Sequence, residues 1–175
     1  MTVLNLMLTG NCMTKYLVDT NVLISAYRIK YPMDVIPTFW EIILKELENG
    51  TICMIDQVAE EILVGGDQLS EWLKDNFKNI TLLESDTYDV IGSYSEILQT
   101  VMDNPQYSDI AKYDYADVAD SWLIAHAKAN RYTIVTEEVF NRDIKKKVPI
   151  PNICREQNVE YINTIEFLRR IKAKI

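Results

Sequence analysis

Five short apolar segments, each set between stretches of helical periodicity, constrain this chain more than any other feature. They are Tyr16–Asp19, Ile52–Ile55, Ile80–Leu83, Thr133–Thr136 and Glu160–Ile162, rich in β-branched or aliphatic residues. Helical patterns lie between them at Val35–Leu47, Gln57–Val64, Leu69–Phe77, Tyr88–Met102, Tyr115–Asn130 and Thr164–Ala173. The first carries Ile36, Phe39, Trp40, Ile43, Leu44 and Leu47 on one stripe, and Gly50 follows as a stop. Gly65–Gly66 ends the second, and Asp67 is placed to cap the third. Strands alternating with helices predict an α/β domain with a mainly parallel sheet, since parallel neighbours need a crossover between them. Tyr16–Val18 is apolar throughout, as a strand covered on both faces must be. Ligands of such sheets bind beyond the carboxyl ends of the strands. Acids at strand ends are therefore better site candidates than acids elsewhere.

Bulk properties narrow the class. A length of 175 residues suits one domain, expected over residues 14–175. Residues 1–13 are read as an N-terminal extension, with Met13 as a possible true start; they have no basic leader expected of a signal peptide. Apolar runs are too short to span a bilayer. Cys12, Cys53 and Cys154 are scattered, with no CxxC pair, which fits a reducing cytoplasm. The net charge of −8 counts against a nucleic-acid ligand at first sight. Its distribution changes that reading, because residues 137–175 hold 9 basic and 6 acidic side chains. Arg142 and the run Lys145, Lys146 and Lys147 could be an ordinary solvated face, or a rim that tracks phosphates beside an acidic pocket.

The acids fall into four separated groups. Asp19 ends the first strand, and Thr20 or Asn21 could cap the following helix without it, which leaves Asp19 to be explained by a partner or a metal. Glu60 and Glu61 come early in the helix after the second strand, where the helix dipole alone favours acids. Asp114 and Asp117 have the spacing of a capping pair for helix Tyr115–Asn130. Asp120, in that helix's second turn, instead shares a face with Leu123, Ile124 and Ala127. Glu137 and Glu138 directly follow the fourth strand. Acids converging from four segments repel one another and raise each other's pKa, which a hard divalent cation relieves. One histidine and scattered cysteines cannot build a zinc centre, and no glycine-rich phosphate loop is present. His126 reads as a helix-face residue without chemistry, and Trp40, Trp72 and Trp122 as core.

Four stretches together resemble the PIN-domain superfamily of nucleases, over nearly the whole chain from Tyr16. They are Tyr16–Leu–Val–Asp–Thr–Asn–Val–Leu–Ile24, Val58–Ala–Glu–Glu–Ile62, Asp120–Ser–Trp–Leu–Ile–Ala–His–Ala127 and Ile134–Val–Thr–Glu–Glu–Val–Phe140. Each is weak alone; their order and spacing make the signal. The resemblance favours Glu61 over Glu60 and Glu138 over Glu137, with a glutamate where many members carry aspartate. A bacterial toxin-like branch is most similar.

The resemblance implies a three-layer α/β/α sandwich around a central, mainly parallel five-stranded sheet. It further implies a Mg²⁺- or Mn²⁺-dependent endoribonuclease with Asp19, Glu61, Asp120 and Glu138 as metal-binding and catalytic residues. Asn21 and Thr136 would support them, with Glu60, Asp117 and Glu137 as alternative neighbours. The expected substrate is single-stranded or looped RNA, whose backbone can bend into a pocket, cut to 5′-phosphate and 3′-hydroxyl ends. An antitoxin partner and a homodimer belong to the same expectation. Two other readings remain: a catalytically silent PIN scaffold for protein interaction, and a phosphohydrolase with an aspartyl-phosphate intermediate. The latter usually needs a second Asp two residues after the nucleophile, where this chain has Asn21.

Overall fold

The computed structural model describes residues 14–175; the expected extension at residues 1–13 lies outside the described residues. Five strands form one parallel sheet in the order β3-β2-β1-β4-β5: β1 Tyr16–Val18, β2 Ile52–Ile55, β3 Leu82–Leu83, β4 Thr133–Val135 and β5 Tyr161–Ile162. Leu17 pairs with Cys53 on one side and Ile134 on the other. Every residue of β1, β2 and β4 is buried, so both faces are covered and the fold is the expected α/β/α sandwich. The helices among the described residues are α1 Thr20–Ser25, α2 Pro37–Glu48, α3 Asp56–Val64, α4 Gln68–Asn76, α5 Tyr88–Asp103, α6 Asp109–Ala116, α7 Ala119–Asn130, α8 Ile150–Gln157 and α9 Thr164–Arg170. A π-helical turn, Ala26–Lys30, extends α1.

The strand order places the functional crevice. From β1 the chain winds outward through β2 to β3, then returns to the other side of β1 with β4 and β5. The winding direction therefore reverses between β1 and β4, and at such a point the loops beyond the carboxyl ends part to leave a crevice. Asp19 follows β1 and Thr136–Glu138 follow β4, so both open onto that crevice.

Several expected elements are corrected. The helix expected at Tyr115–Asn130 is two helices with a break at Asp117–Val118, where Val118 is extended (φ −105°, ψ 158°). Tertiary contacts stabilise the break. The Tyr94 hydroxyl donates to the Ala116 carbonyl at 2.9 Å, and the Ala119 amide donates to Glu61 Oε1 at 3.3 Å. Both backbone groups are helix-end orphans that otherwise need a cap. Asp114 is thus inside α6 and Asp117 is its C-cap, so neither caps the helix that carries Asp120. Asp120 itself is in the first turn of α7, not the second. Helix α8 lies in a stretch whose two prolines discourage helix; Pro151 occupies the first turn, where no amide is needed. The third strand is only Leu82–Leu83, because Phe77–Asn79 forms a 3₁₀ turn before it.

Other readings hold. Asp67 caps α4, accepting from the Leu69 and Ser70 amides. Trp40 is buried, while Trp72 and Trp122 are half-buried against the core. Trp122 stacks on Tyr94 with ring centroids 3.8 Å apart, locking α7 to α5. Cys53 and Cys154 are free and buried. No helix among the described residues is long and apolar enough to cross a membrane. His126 is not a surface residue: it is 2% exposed, and its Nε2 lies 2.9 Å from Ser85 Oγ. Ser85 Oγ also lies 2.7 Å from Asp56 Oδ1 and 2.7 Å from Gln57 Oε1, so this histidine is one member of a polar network.

Candidate active site

Asp19 is placed by its own chain turn. Its amide donates to the Val135 carbonyl at 3.0 Å, which continues the β1–β4 ladder by one step. Its side chain then caps α1, Oδ1 accepting from the Asn21 amide at 3.1 Å. The expectation that Thr20 or Asn21 would relieve Asp19 of capping is therefore corrected. Capping uses one oxygen; Oδ2 accepts from Thr136 Oγ1 at 2.8 Å. Thr136 in turn accepts from the Glu138 amide at 3.1 Å, tying the β4 end to the β1 end. Asp19 is only 1% exposed. Burial pushes its carboxyl up from 3.8 to about 6, against its two hydrogen bonds, and the Glu138 charge adds to the rise.

Asp120 faces the same crevice from the first turn of α7, where the helix dipole favours a negative charge. Leu123, Ile124 and Ala127 on its face are buried as expected. Among the described residues no hydrogen bond relieves Asp120. Burial first, then the charges of Asp19, Glu138 and Glu61, push its carboxyl from 3.8 to about 7, with Lys147 opposing. The mutual influence brings the four preferred acids into one electrostatic group.

Glu61 is fixed at both oxygens. Thr20 Oγ1 donates to Oε2 at 2.6 Å and the Ala119 amide to Oε1, so this acid links the starts of α1 and α7. Glu61 and its neighbour Glu60 are both exposed, and it is these two hydrogen bonds that set Glu61 apart. Glu138 accepts from the Ile150 amide at 2.8 Å through Oε2 and pairs with the Lys147 ammonium through Oε1. Glu137 turns elsewhere: it pairs with Lys30 and accepts from both the amide and the hydroxyl of Thr164. Burial works against its charge, but Lys30 and Thr164 outweigh it and hold the carboxyl below its ordinary range. Glu137 thus staples the β4 end to α9 and the π-helical turn. Glu137→Gln should lower unfolding stability by about 1–2 kcal/mol, the scale of a charge-assisted hydrogen bond, while leaving any nuclease activity near wild type. Urea titration beside an RNA-cleavage assay checks both halves.

The basic residues Arg142, Lys145, Lys146 and Lys147 are all exposed. Their loop is anchored, with the Ile144 and Lys145 carbonyls accepting from Gln106 Nε2 and the Ser108 amide, each at 2.9 Å. Lys146 and Lys147 line a pocket of about 100 Å³ with Asp114, Tyr115 and Asp120. Asn21 offers only its amide to the site and its side chain is exposed. The roles of Thr20 and Ile150, and the pairing of Lys147 with Glu138, are not evident in the sequence. Thr20 could have been noticed as a hydroxyl beside the first acid, but its partner lies 41 residues away.

The donor set fits a hard divalent cation in chemistry: it is all oxygen, partly buried, and short of positive charge at Asp120. Among the described residues no three His, Cys, Asp or Glu side chains already meet around one point as a metal cage. Lys147 supplies the positive charge within the group.

No curated protein sequence matches the chain. Among solved structures it is similar to the crystal structure of VapBC2 from Rickettsia felis bound to a DNA fragment from their promoter. That likeness has 17% identity and a TM-score of 0.53, covering 86% of this chain and 98% of the other. It is also similar to DNA-bound VapBC from Salmonella typhimurium, with 16% identity, a TM-score of 0.50 and the same coverage. These likenesses show the PIN-like fold. One family model, described as a domain of unknown function (DUF4411), matches residues 16–175, and the chain belongs to that family.

Proposed function

We propose that this protein is a metal-dependent endoribonuclease of the toxin–antitoxin kind. The observation that carries the reading is the pair Asp19 and Asp120, raised to about 6 and about 7 beside Glu138 and Glu61 at the sheet's switch point. Carboxyls so destabilised as anions are where a cation gains most. Asp19, Asp120, Glu61 and Glu138 would hold Mg²⁺ or Mn²⁺, which supplies an acidified water and stabilises the leaving oxygen. The chain's own residues orient that shell. Thr136 and the Asn21 amide fix the two oxygens of Asp19, Thr20 and the Ala119 amide fix Glu61, and the Ile150 amide fixes one oxygen of Glu138. Arg142, Lys145 and Lys146 form the rim on which an RNA backbone would lie. Similarity to chains from VapBC complexes supports an antitoxin as partner; a homodimer goes with the same reading.

Incubating the protein with mixed RNA should yield Mn²⁺-dependent fragments with 5′-phosphate ends, and none in EDTA. Cleavage that persists undiminished in EDTA would sink the metal-dependent reading. A second reading, a catalytically silent scaffold, is favoured by the lack of a ready-made three-acid cage among the described residues. Intact RNA after prolonged incubation with Mn²⁺ would select it.

A further inference from the structure

Lys147 stands apart from the other bases of its run. Its charge acts on Asp19, Asp120 and Glu138 alike, and its ammonium is bonded to Glu138 Oε1. The Ile150 amide holds the other oxygen of Glu138. Both oxygens of the fourth acid are thus engaged within the chain, and, unlike the neutral donors on Asp19 and Glu61, the one on Oε1 is itself a cation that a metal approaching Glu138 must meet. The tether suits such an exchange. The Lys145 carbonyl is held by the Ser108 amide and Val148 is buried, so the backbone on either side is fixed. The Lys147 side chain between these anchors is 53% exposed, and its four-carbon stem is free to swing towards solvent.

We propose that Lys147 is a built-in counter-ion that competes with the divalent metal for Glu138, so that metal loading and release of Lys147 are one equilibrium. The proposal rests on the metal-dependent reading above. Two positive ions cannot share this small group of acids without repulsion, so the incoming cation must displace the ammonium. The displaced head has a place to go, since the side chain is already half open to solvent and its neighbours Lys145 and Lys146 are exposed. There it would meet the phosphate of an RNA lying on that basic rim. Linkage makes the effect reciprocal: an anion that draws Lys147 outward strengthens metal binding, and metal strengthens the anion's hold.

Mn²⁺ titration by calorimetry tests this on four full-length proteins: wild type, Lys147→Met, Glu138→Gln and the double variant. Lys147→Met should bind Mn²⁺ about tenfold more tightly than wild type, a coupling of ordinary size for residues in direct contact. Glu138→Gln should change affinity little when Lys147 is present, and should remove the gain when it is absent. Lys147→Arg keeps the charge and should stay near wild type, which separates charge from packing if Lys147→Met unfolds. Equal or weaker binding by Lys147→Met, or tenfold tighter binding by Lys147→Arg, overturns the counter-ion role alone. If no protein binds Mn²⁺ and the wild type cuts no RNA, the metal reading falls and takes this proposal with it.

Discussion

Asp19→Asn should lower Mn²⁺-dependent RNA cleavage by about 10³-fold or more while leaving the protein folded, the scale seen when one electrostatic element of a site is removed. The fold survives because asparagine keeps the shape of the cap. Its oxygen can still accept from the Asn21 amide, and its amide can face Thr136, whose hydroxyl rotates to accept. What is lost is the charge, buried at the switch point between β1 and β4. A neutral amide is a poor ligand for a hard cation. The decisive comparison sets cleavage rate beside circular dichroism and melting temperature. Wild-type cleavage by a well-folded Asp19→Asn protein would remove Asp19 from the centre of the site.

Asp120→Asn should also abolish cleavage, but its larger signature is a gain in stability of the metal-free protein. The carboxyl is raised from 3.8 to about 7, so the folded state holds its proton more tightly than the unfolded chain does. The stability this group contributes is fully present below the unfolded value of 3.8. It is lost as pH rises through the window from 3.8 to about 7. Above that window wild type bears the cost of a buried, repelled anion, which asparagine does not. In EDTA the variant should gain about 2 kcal/mol at pH 8, after discounting the attraction of Lys147 that it also loses. For a protein of this size that is roughly 4–8 °C in melting temperature. Near pH 5 the gain should shrink, because wild-type Asp120 is then mostly protonated. A variant no more stable than wild type at pH 8, or a gain equal at both pH values, would show that Asp120 is not destabilised where it sits. The expected gain, by contrast, would mean that this residue gives up stability for function, a pattern common at active sites.

The acids also show where reading the chain succeeds. Asp19, Asp120 and the pair Glu137 and Glu138 stand out in the sequence as acids at strand ends or on an apolar helix face, and the fold sets Asp19, Asp120 and Glu138 in one electrostatic group with Glu61. Strand ends and apolar stripes are local properties written into a few consecutive residues. The preference of Glu138 over Glu137 rested on resemblance alone. Only the fold turns Glu137 towards Lys30 and Thr164, because adjacent residues leaving a strand point to opposite sides.

The misses share one cause. The break between α6 and α7 is held by Tyr94 from α5 and Glu61 from α3, so no local propensity announces it. Capping by Asp114 and Asp117 was plausible in sequence and disappeared once that break moved the helix start to Ala119. His126 reads in sequence only as a helix-face residue, and its contact with Ser85, 41 positions away, is a product of the fold.

The sequence by itself determined the alternation of strands and helices, hence a parallel sheet with its crevice at the carboxyl ends. It also placed acids at that edge, because hydrophobic periodicity and strand termini are encoded within a few residues of each other, though it left open the choice within Glu60/Glu61 and Glu137/Glu138. The tertiary structure alone decided how those acids are held: Asp19 by Thr136, Glu61 by Thr20 and the Ala119 amide, Glu138 by Ile150 and Lys147. Except for the near neighbours of Glu138, these partners come from distant segments. Their hydrogen bonds and charges exist only once the sheet has set β1 beside β4.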